Sequence, residues 1–307
     1  MKKIVVKIGG SMVNSENFLE QMSKEIHYLT QKKHAVSVVH GGGKDINQEL
    51  ARLNKEFQFI DGQRVTDEET MFAVQRVLSG DVNKRIVNEL LKQGVKAVGI
   101  SGVDGNIATA KKLLSDKGQD LGFVGEIVNV NTALLNLLAQ NGWTVVISPV
   151  SRDSDGNIYN INADGAASSI AVKQKVDDLV FVSDVSGVMI GGEIKHSIEI
   201  EEIEELIKIG EITGGMIPKL RGAAAAIKNG VKRVHICGWQ EKNLLVNIIE
   251  KPDHKNEKAK KGKKPKKPKT SKMRINIWMK GKRCHENKVV SNRYRQLEEC
   301  GTTIYRK

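Results

Sequence analysis

Cysteine and aromatic residues are scarce in this chain of 307 residues, which has three cysteines and only 4% Phe, Trp and Tyr. Cys237, Cys284 and Cys300 lie far apart without a CxxC pair, which fits a reducing, cytoplasmic compartment better than a disulfide framework. So few aromatic rings argue against a base-stacking platform for nucleic acid as the main activity. The first apolar run is cut short by Lys7, well below the length of a signal-peptide core or a membrane span.

Possible metal ligands are also few. Cys284, His285 and Cys300 form one candidate group, but their spacing is irregular and a fourth ligand is not evident. We therefore assign no residue of this chain as a metal ligand.

Positive charge is concentrated in one segment. The chain has a formal net charge of +13, and residues 252–299 contribute +12 of it, with 17 Lys and Arg against five Asp and Glu. The rest of the chain is therefore nearly neutral. The run AKKGKKPKKPK cannot bury apolar surface and is predicted to be a solvated linker. Binding of RNA, DNA or another anionic surface by this segment is the alternative interpretation.

The order strand, glycine turn, helix occurs twice at the start of the chain. The apolar run 3–8 ends at two glycines and is followed by a helical pattern over 15–32. The run 35–39 leads into HGGG and a helical pattern that ends near residue 53. This order is typical of an α/β fold with an open, mostly parallel sheet. Further strands are predicted at 97–100, 144–147, 179–182 and 234–236, and helices at 68–78, 83–92, 131–140, 163–172, 203–209 and 214–228.

The two glycine turns are the first functional signal. KIGGS and HGGG should meet at the carboxyl edge of the sheet, where open α/β folds bind ligands. Glycines let backbone N–H groups approach phosphate oxygens, and the following helix presents its positive end. We interpret the pair as a phosphate site, with plain tight turns as the alternative. Neither turn contains GxxxxGK[ST] or GxGxxG, so the common nucleotide-binding motifs are absent.

Two lysines are the second signal. Lys7 lies at the end of a buried strand, bracketed by apolar residues, where an ammonium group is unfavourable unless it meets an anion. Lys219 follows a glycine pair in ITGGMIPK. Phosphoryl transfer requires such cations because the transferring group is negatively charged.

A series of motifs resembles the amino acid kinase family, and within it the N-acetylglutamate kinases, from residue 1 to about residue 250. The motifs are VVKIGGS, VHGGGKDIN, GQRVTDEET, DVNKRIV, AVGISGVDG, LGFVGEI, ISPV, YNINADGAA, VSDVSGV and EITGGMIPK. The resemblance implies a three-layer αβα sandwich and transfer of the γ-phosphoryl group of ATP, with Mg²⁺, to the γ-carboxylate of N-acetyl-L-glutamate in arginine biosynthesis. A carboxylate is ionised at neutral pH, so no general base is needed. An acetylaminoadipate kinase of lysine biosynthesis is the nearest alternative, since the substrates differ by one methylene group.

The resemblance also implies roles for individual residues. It gives catalytic roles to Lys7, Lys219 and Asp164, the aspartate orienting the two lysines. It assigns substrate binding to Gly42, Gly43, Arg64 and Asn160, with Arg64 pairing with the substrate α-carboxylate. It assigns nucleotide binding to Lys7, Gly9, Gly10, Ser183, Asp184, Thr213 and Gly214.

The same resemblance implies two lobes. Residues 1–176 would bind the acylated amino acid, and residues 177–251, completed by 300–307, would bind ATP. The strand-like GTTI at 301–304 arrives about 48 residues late, so 252–299 is interpreted as an insertion of unknown role. The fold can tolerate it, because each doubling of loop length costs only ~0.6 kcal/mol. The start of the sequence resembles homodimeric members of the family that are insensitive to arginine, so a homodimer is expected.

Overall fold

The protein is described by a computed structural model that covers residues 1–239, 243–250 and 301–306. The helices are α1 (Glu16–Gln31), α2 (Gly43–Arg52), α3 (Glu68–Gln75), α4 (Asn83–Lys92), α5 (Ala133–Gln140), α6 (Ala163–Gln174), α7 (Ile203–Lys208), α8 (Met216–Lys228) and α9 (Leu244–Glu250). The strands are β1 (Lys3–Ile8), β2 (Ala35–His40), β3 (Phe59–Ile60), β4 (Gln63–Arg64), β5 (Ala97–Ser101), β6 (Ala108–Leu114), β7 (Asp120–Val130), β8 (Thr144–Ser148), β9 (Val150–Arg152), β10 (Ile158–Ile161), β11 (Asp178–Ser183), β12 (Met189–Ile190), β13 (Glu193–Ile194), β14 (Ser197–Glu199), β15 (Arg233–Gly238) and β16 (Thr302–Tyr305). Within these ranges, every helix is too short or too polar to cross a membrane.

The central sheet has eight strands in the order β14-β16-β15-β11-β1-β2-β8-β5. Neighbouring strands are parallel except for β15 and β16, which are antiparallel. Successive side chains of β1 point to opposite faces. Val6 packs with residues of α1, α2, α4 and α9, and Val5 packs with residues of α5, α6 and α8. The predicted three-layer αβα sandwich is therefore confirmed.

The strands and helices predicted from the sequence are present, with ends that differ by a few residues. The late strand is also confirmed, because β16 lies between β15 and β14 and pairs with both. Residues 252–299, predicted to be a solvated linker or insertion, lie outside the described residues.

The sequence patterns did not predict the smaller elements. A second sheet, β10-β7-β6-β9, closes on itself, and two hairpins are formed by β3 with β4 and by β12 with β13. Between α3 and α4 the chain forms a π-helical segment, Arg76–Val82. These elements matter for function because β4, β10 and the π-helical segment carry or contact candidate site residues.

Candidate active site

The two glycine turns pack directly against each other at the carboxyl edge of the sheet. A Cβ atom added to Gly10 would lie 3.0 Å from the backbone N of both Gly42 and Gly43. One added to Gly41 would lie 3.0 Å from the backbone N of Gly10. At Gly43, the first residue of α2, an added Cβ would meet nothing within 4 Å. The arrangement thus combines close backbone contact with open space at a helix N-terminus, which suits an anion.

The π-helical segment packs against the HGGG turn. A Cβ atom added to Gly42 would lie 2.6 Å from Cδ2 of Leu78 and 3.3 Å from Cγ2 of Val82. Single π-helical turns within helices occur frequently at functional sites. Here the segment occupies the space beside position 42, so a side chain at that position would have to displace Leu78.

His40 and Asn83 form a buried polar pair beneath this turn, and both are fully buried. The His40 ring bonds through Nδ1 to the Gly41 carbonyl oxygen at 2.9 Å, and Asn83 Nδ2 lies 3.3 Å from His40 Nε2. Asn83 Nδ2 also donates to the Val146 carbonyl oxygen at 3.0 Å. Burial lowers the pKa of His40 to about 4, so the ring is neutral near pH 7 and holds the turn rather than carrying charge. Asn83 was not predicted to be a functional residue.

Asp164 lies between the two candidate lysines, which are far apart in the sequence. Lys7 Nζ lies 2.7 Å from Asp164 Oδ1, and Lys219 Nζ lies 4.0 Å from Asp164 Oδ2. The Asn162 side chain caps α6 by accepting from the backbone N–H groups of Asp164 and Gly165, at 2.9 and 3.2 Å. This cap fixes the first turn of α6 and therefore the carboxylate between the lysines.

Arg64 lies on the other side of the HGGG turn and is 6% exposed. Its Nη2 donates to the Gly43 carbonyl oxygen at 3.3 Å and to Oδ1 of Asn47. The guanidinium lies 4.6 and 4.7 Å from the ring centroids of Phe57 and Phe59. Burial lowers the pKa of the Arg64 guanidinium below its usual value. Its Nη1 is buried without a hydrogen-bond partner among the described residues, which leaves a donor for an incoming anion.

Thr66 connects Arg64 with Asn160. The Thr66 hydroxyl donates to the Arg64 carbonyl oxygen at 2.7 Å and accepts from Asn160 Nδ2 at 3.3 Å. Thr66 is fully buried and follows β4, whereas Asn160 lies on β10 of the closed sheet. Thr66 was not predicted to be a functional residue, although it belongs to the same GQRVT motif as Arg64.

The predicted nucleotide residues are less closely grouped. Ser183 ends β11 and is 7% exposed, and its Oγ has no hydrogen-bond partner in the part of the chain that the structure describes. A Cβ atom added to Gly9 would lie 3.7 Å from the Ser183 Cα, which places the first glycine turn beside β11. Asp184, Thr213 and Gly214 are exposed in the segments that follow β11 and precede α8.

A cleft of about 520 Å³ runs between α6 and α8 from the lysine–aspartate cluster. Its lining includes Asp164 and Lys219 at one end, Phe181 of β11, and Asn229 just after α8. Across residues 1–239, 243–250 and 301–306, no group of three or more His, Cys, Asp and Glu side chains is arranged to hold a metal ion.

Comparison with known proteins agrees with this architecture. The model of the amino acid kinase family matches residues 2–238. An acetylglutamate kinase from Caldicellulosiruptor saccharolyticus is 41% identical over 241 residues, which is 76% of this chain and 82% of that protein. An acetylglutamate kinase from Aquifex aeolicus is 41% identical over 265 residues, covering 81% of this chain and 89% of that protein.

A solved structure of similar fold supports the same relationship. The structure of smu.665 from Streptococcus mutans UA159 is 30% identical, with a TM-score of 0.66, and the match covers 76% of this chain and 94% of that chain. The sequence match spans most of the described fold, including both glycine turns and both lysines of the site. The chain belongs to the amino acid kinase family.

Proposed function

We propose that this protein phosphorylates the γ-carboxylate of N-acetyl-L-glutamate with ATP, giving N-acetyl-L-glutamyl 5-phosphate and ADP, as a step of arginine biosynthesis. The observation that carries the proposal is the cluster of Lys7, Asp164 and Lys219 beside two touching glycine turns. The cluster occurs in a chain that is 41% identical to an acetylglutamate kinase over most of its length.

In the proposed reaction, a γ-carboxylate oxygen bonds to the γ-phosphorus while the bond from that phosphorus to the bridging oxygen of ADP breaks. No proton has to move, since the carboxylate is already ionised. Lys7 and Lys219 offset the negative charge of the transferring group, and Asp164 keeps both ammonium groups turned toward it. Backbone N–H groups at Gly10 and Gly43 contribute donors at the same edge.

Arg64 is proposed to bind the substrate α-carboxylate. It is buried, it remains a cation, and its Nη1 has no hydrogen-bond partner among the described residues. The rings of Phe57 and Phe59, perpendicular to each other, both lie against the guanidinium, so little side-chain freedom is lost when the acid binds. Gly42, Gly43 and Asn160 complete the proposed acid site, the glycines by backbone approach and Asn160 by its amide.

The nucleotide is proposed to lie on the other side of the cluster. Gly9, Gly10 and Lys7 would contact its phosphates, with Ser183, Asp184, Thr213 and Gly214 as the remaining nucleotide contacts. The buried hydroxyl of Ser183, which has no hydrogen-bond partner within the described ranges, supports this placement. Mg²⁺ would enter with ATP, because phosphate oxygens are the hard ligands it prefers, and it would offset phosphate charge there.

The two-lobe division follows from these placements. Residues 1–176 would supply the acid site, and residues 177–251 with 300–307 the nucleotide site. The paired strands β1 and β11 form the seam between the two regions. We also propose a cytoplasmic homodimer. Among the described residues β5 ends the central sheet, which supports self-association, since an unpaired edge can pair with another strand.

An acyl-phosphate assay with a panel of acids tests the proposal. The purified chain with MgATP should release ADP and form a hydroxylamine-trapped product with N-acetyl-L-glutamate, but not with free glutamate. The kcat/KM for N-acetyl-L-glutamate should exceed that for acetylaminoadipate. A higher value for the longer acid would instead assign the protein to lysine biosynthesis.

A further inference from the structure

We infer that the Thr66 hydroxyl is a positioning group for the acid substrate, because it sets the relation between Arg64 and Asn160. This inference rests on the proposed function, since it takes those two residues as ligands of the acid. Arg64 and Asn160 belong to different parts of the fold, the β3–β4 hairpin and the closed second sheet. Backbone pairing ties both regions to β7, and the Thr66 hydroxyl adds a direct side-chain link between them.

The hydroxyl forms that link by donating one hydrogen bond and accepting another. Its single O–H donates to the Arg64 carbonyl oxygen at 2.7 Å, and its oxygen accepts from Asn160 Nδ2 at 3.3 Å. Because Thr66 is fully buried, water is not at hand to replace either bond. Loss of the hydroxyl would remove one hydrogen bond from the Asn160 amide and one from the Arg64 carbonyl.

The backbone of Thr66 is held separately, so the hydroxyl has its own role. The Thr66 N–H donates to the Leu121 carbonyl oxygen at 2.9 Å, and the Phe123 N–H donates to the Thr66 carbonyl oxygen at 2.6 Å. A Cβ atom added to Gly122 would lie 2.1 Å from that oxygen, and Gly122 has a φ of +74°, so only glycine suits this close approach. These contacts clamp Thr66 to β7 whatever its side chain.

The clamp makes a clean substitution possible. Thr66→Val keeps the branched shape and the backbone bonds but removes the hydroxyl. Thr66→Ser keeps the hydroxyl and removes a methyl group. A purely packing role would therefore make the serine variant worse, whereas a positioning role would make the valine variant worse.

The experiment compares wild type, Thr66→Val and Thr66→Ser by steady-state kinetics with each substrate varied, and by thermal unfolding. We expect Thr66→Val to raise the KM for N-acetyl-L-glutamate about tenfold, equivalent to ~1.4 kcal/mol. The KM for ATP should change less than twofold, and Thr66→Ser should restore most of the loss. Equal rises in both KM values, or a serine variant as impaired as the valine variant, would overturn the inference.

Two further measurements keep the outcome interpretable. If Thr66→Val does not fold, Thr66→Cys, which retains only a weak donor and acceptor, should show a smaller rise in the same KM; no rise would overturn the inference. Calorimetric binding of the acid to wild type and variants measures the same effect without turnover.

Wild-type activity with the acid panel tests the proposed function independently. The Thr66 comparison is then made with the acid that wild type binds. Equal affinities of wild type and Thr66→Val for that acid would overturn the inference.

Discussion

The Nζ atom of Lys7 lies 2.7 Å from Oδ1 of Asp164, across the gap between β1 and the first turn of α6. The Lys7 side chain is 12% exposed, so its ammonium group is largely removed from water and requires an anionic partner. Asp164 provides one in the absence of phosphate and approaches Lys219 with its other oxygen. The carboxylate thus holds two ammonium groups close together. A ligand with more negative charge, such as a phosphate group, can bind to both.

The first prediction concerns this carboxylate. Asp164→Asn keeps the size of the side chain but removes the charge that holds the lysines together. We expect kcat to fall by about 10²- to 10³-fold, the range found when a charge-stabilising donor is lost from an active site. Steady-state ADP release measures the effect, and thermal unfolding shows whether the fold is retained.

Lys219→Ala serves as the companion variant and should cause a loss of similar size. Lys228→Ala, at the other end of α8, is the matched control and should keep nearly full activity. Turnover near that of wild type in either Asp164→Asn or Lys219→Ala would contradict the proposed roles.

The second prediction concerns Arg64. Arg64→Lys retains the positive charge but loses the planar guanidinium and its contacts with the rings of Phe57 and Phe59. We expect the KM for the acid to rise about 30-fold, or ~2 kcal/mol, in the range of a charged hydrogen bond. The KM for ATP should stay within about twofold. Kinetics with each substrate varied in turn measures both values.

A surface arginine offers the control for this substitution. Arg221 pairs with Glu204 in an exposed, bidentate salt bridge on the far side of Lys219 in α8. Arg221→Lys should leave both KM values unchanged, because exposed ion pairs contribute little. A parallel rise in the KM for ATP with Arg64→Lys would argue against a site specific for the acid.

The sequence predicted seven of the eight central strands because most of them are continuous apolar runs, whereas the short strand β14 (SIE) has no such run and was not predicted. It did not predict the closed second sheet, since β6 (ATAKKLL) and β7 (DLGFVGEIVNV) mix charged, glycine and apolar residues without clear alternation. Lys7 could be singled out from its apolar neighbours alone. The placement of Asp164 between two lysines could not be predicted from neighbouring residues, because it depends on three elements that meet only in the folded chain. The family resemblance was what implied it.

Residues that act through hydrogen bonds were the hardest to predict. Asn83 and Thr66 look like ordinary polar residues in the sequence, and no periodicity marks them. Their importance arises from full burial combined with partners on other elements, such as His40 for Asn83. The resemblance to the amino acid kinases assigned the ligand contacts but not these supporting groups.

The third prediction concerns the basic segment. The chain is held in the fold both before and after this segment. Before it, Glu250 of α9 bonds to His34, at the amino edge of the sheet. After it, β16 pairs with β15 and β14. Thr302 pairs with Ile236, near the carboxyl end of β15. Replacing residues 252–299 with a Gly-Ser linker of about 12 residues, which spans up to ~40 Å, should therefore preserve the fold. We expect kcat/KM for both substrates to stay within about twofold of wild type.

The same variant tests the alternative role of the segment. Binding of RNA or DNA to the full chain, measured against salt concentration, should be weak and should not differ from that of the shortened chain. Affinity that falls steeply with salt in the full chain and disappears on shortening would instead assign nucleic-acid binding to residues 252–299.

The fourth prediction concerns Glu25, which is 5% exposed on α1. Its Oε2 accepts from the backbone N–H groups of Leu245 and Val246, at 2.7 and 3.4 Å. Burial raises the pKa of Glu25 to about 7, although these hydrogen bonds act in the opposite direction. The folded state therefore binds a proton more tightly than the unfolded state does. The stability from this group is fully present below about pH 4.5 and is lost as pH rises through 7.

Glu25→Gln removes this titration while keeping a carbonyl oxygen to cap α9. The measured quantity is the free energy of unfolding of wild type minus that of the variant. The pKa shift predicts that this difference decreases by ~3 kcal/mol at most between pH 5 and pH 8. Urea unfolding at intervals across this range measures the difference, and other titrating groups cancel in the subtraction. Glu20→Gln, exposed on the same helix, should give a difference that is nearly constant with pH. A flat difference for Glu25→Gln as well would show that the buried carboxyl does not take up a proton in this range.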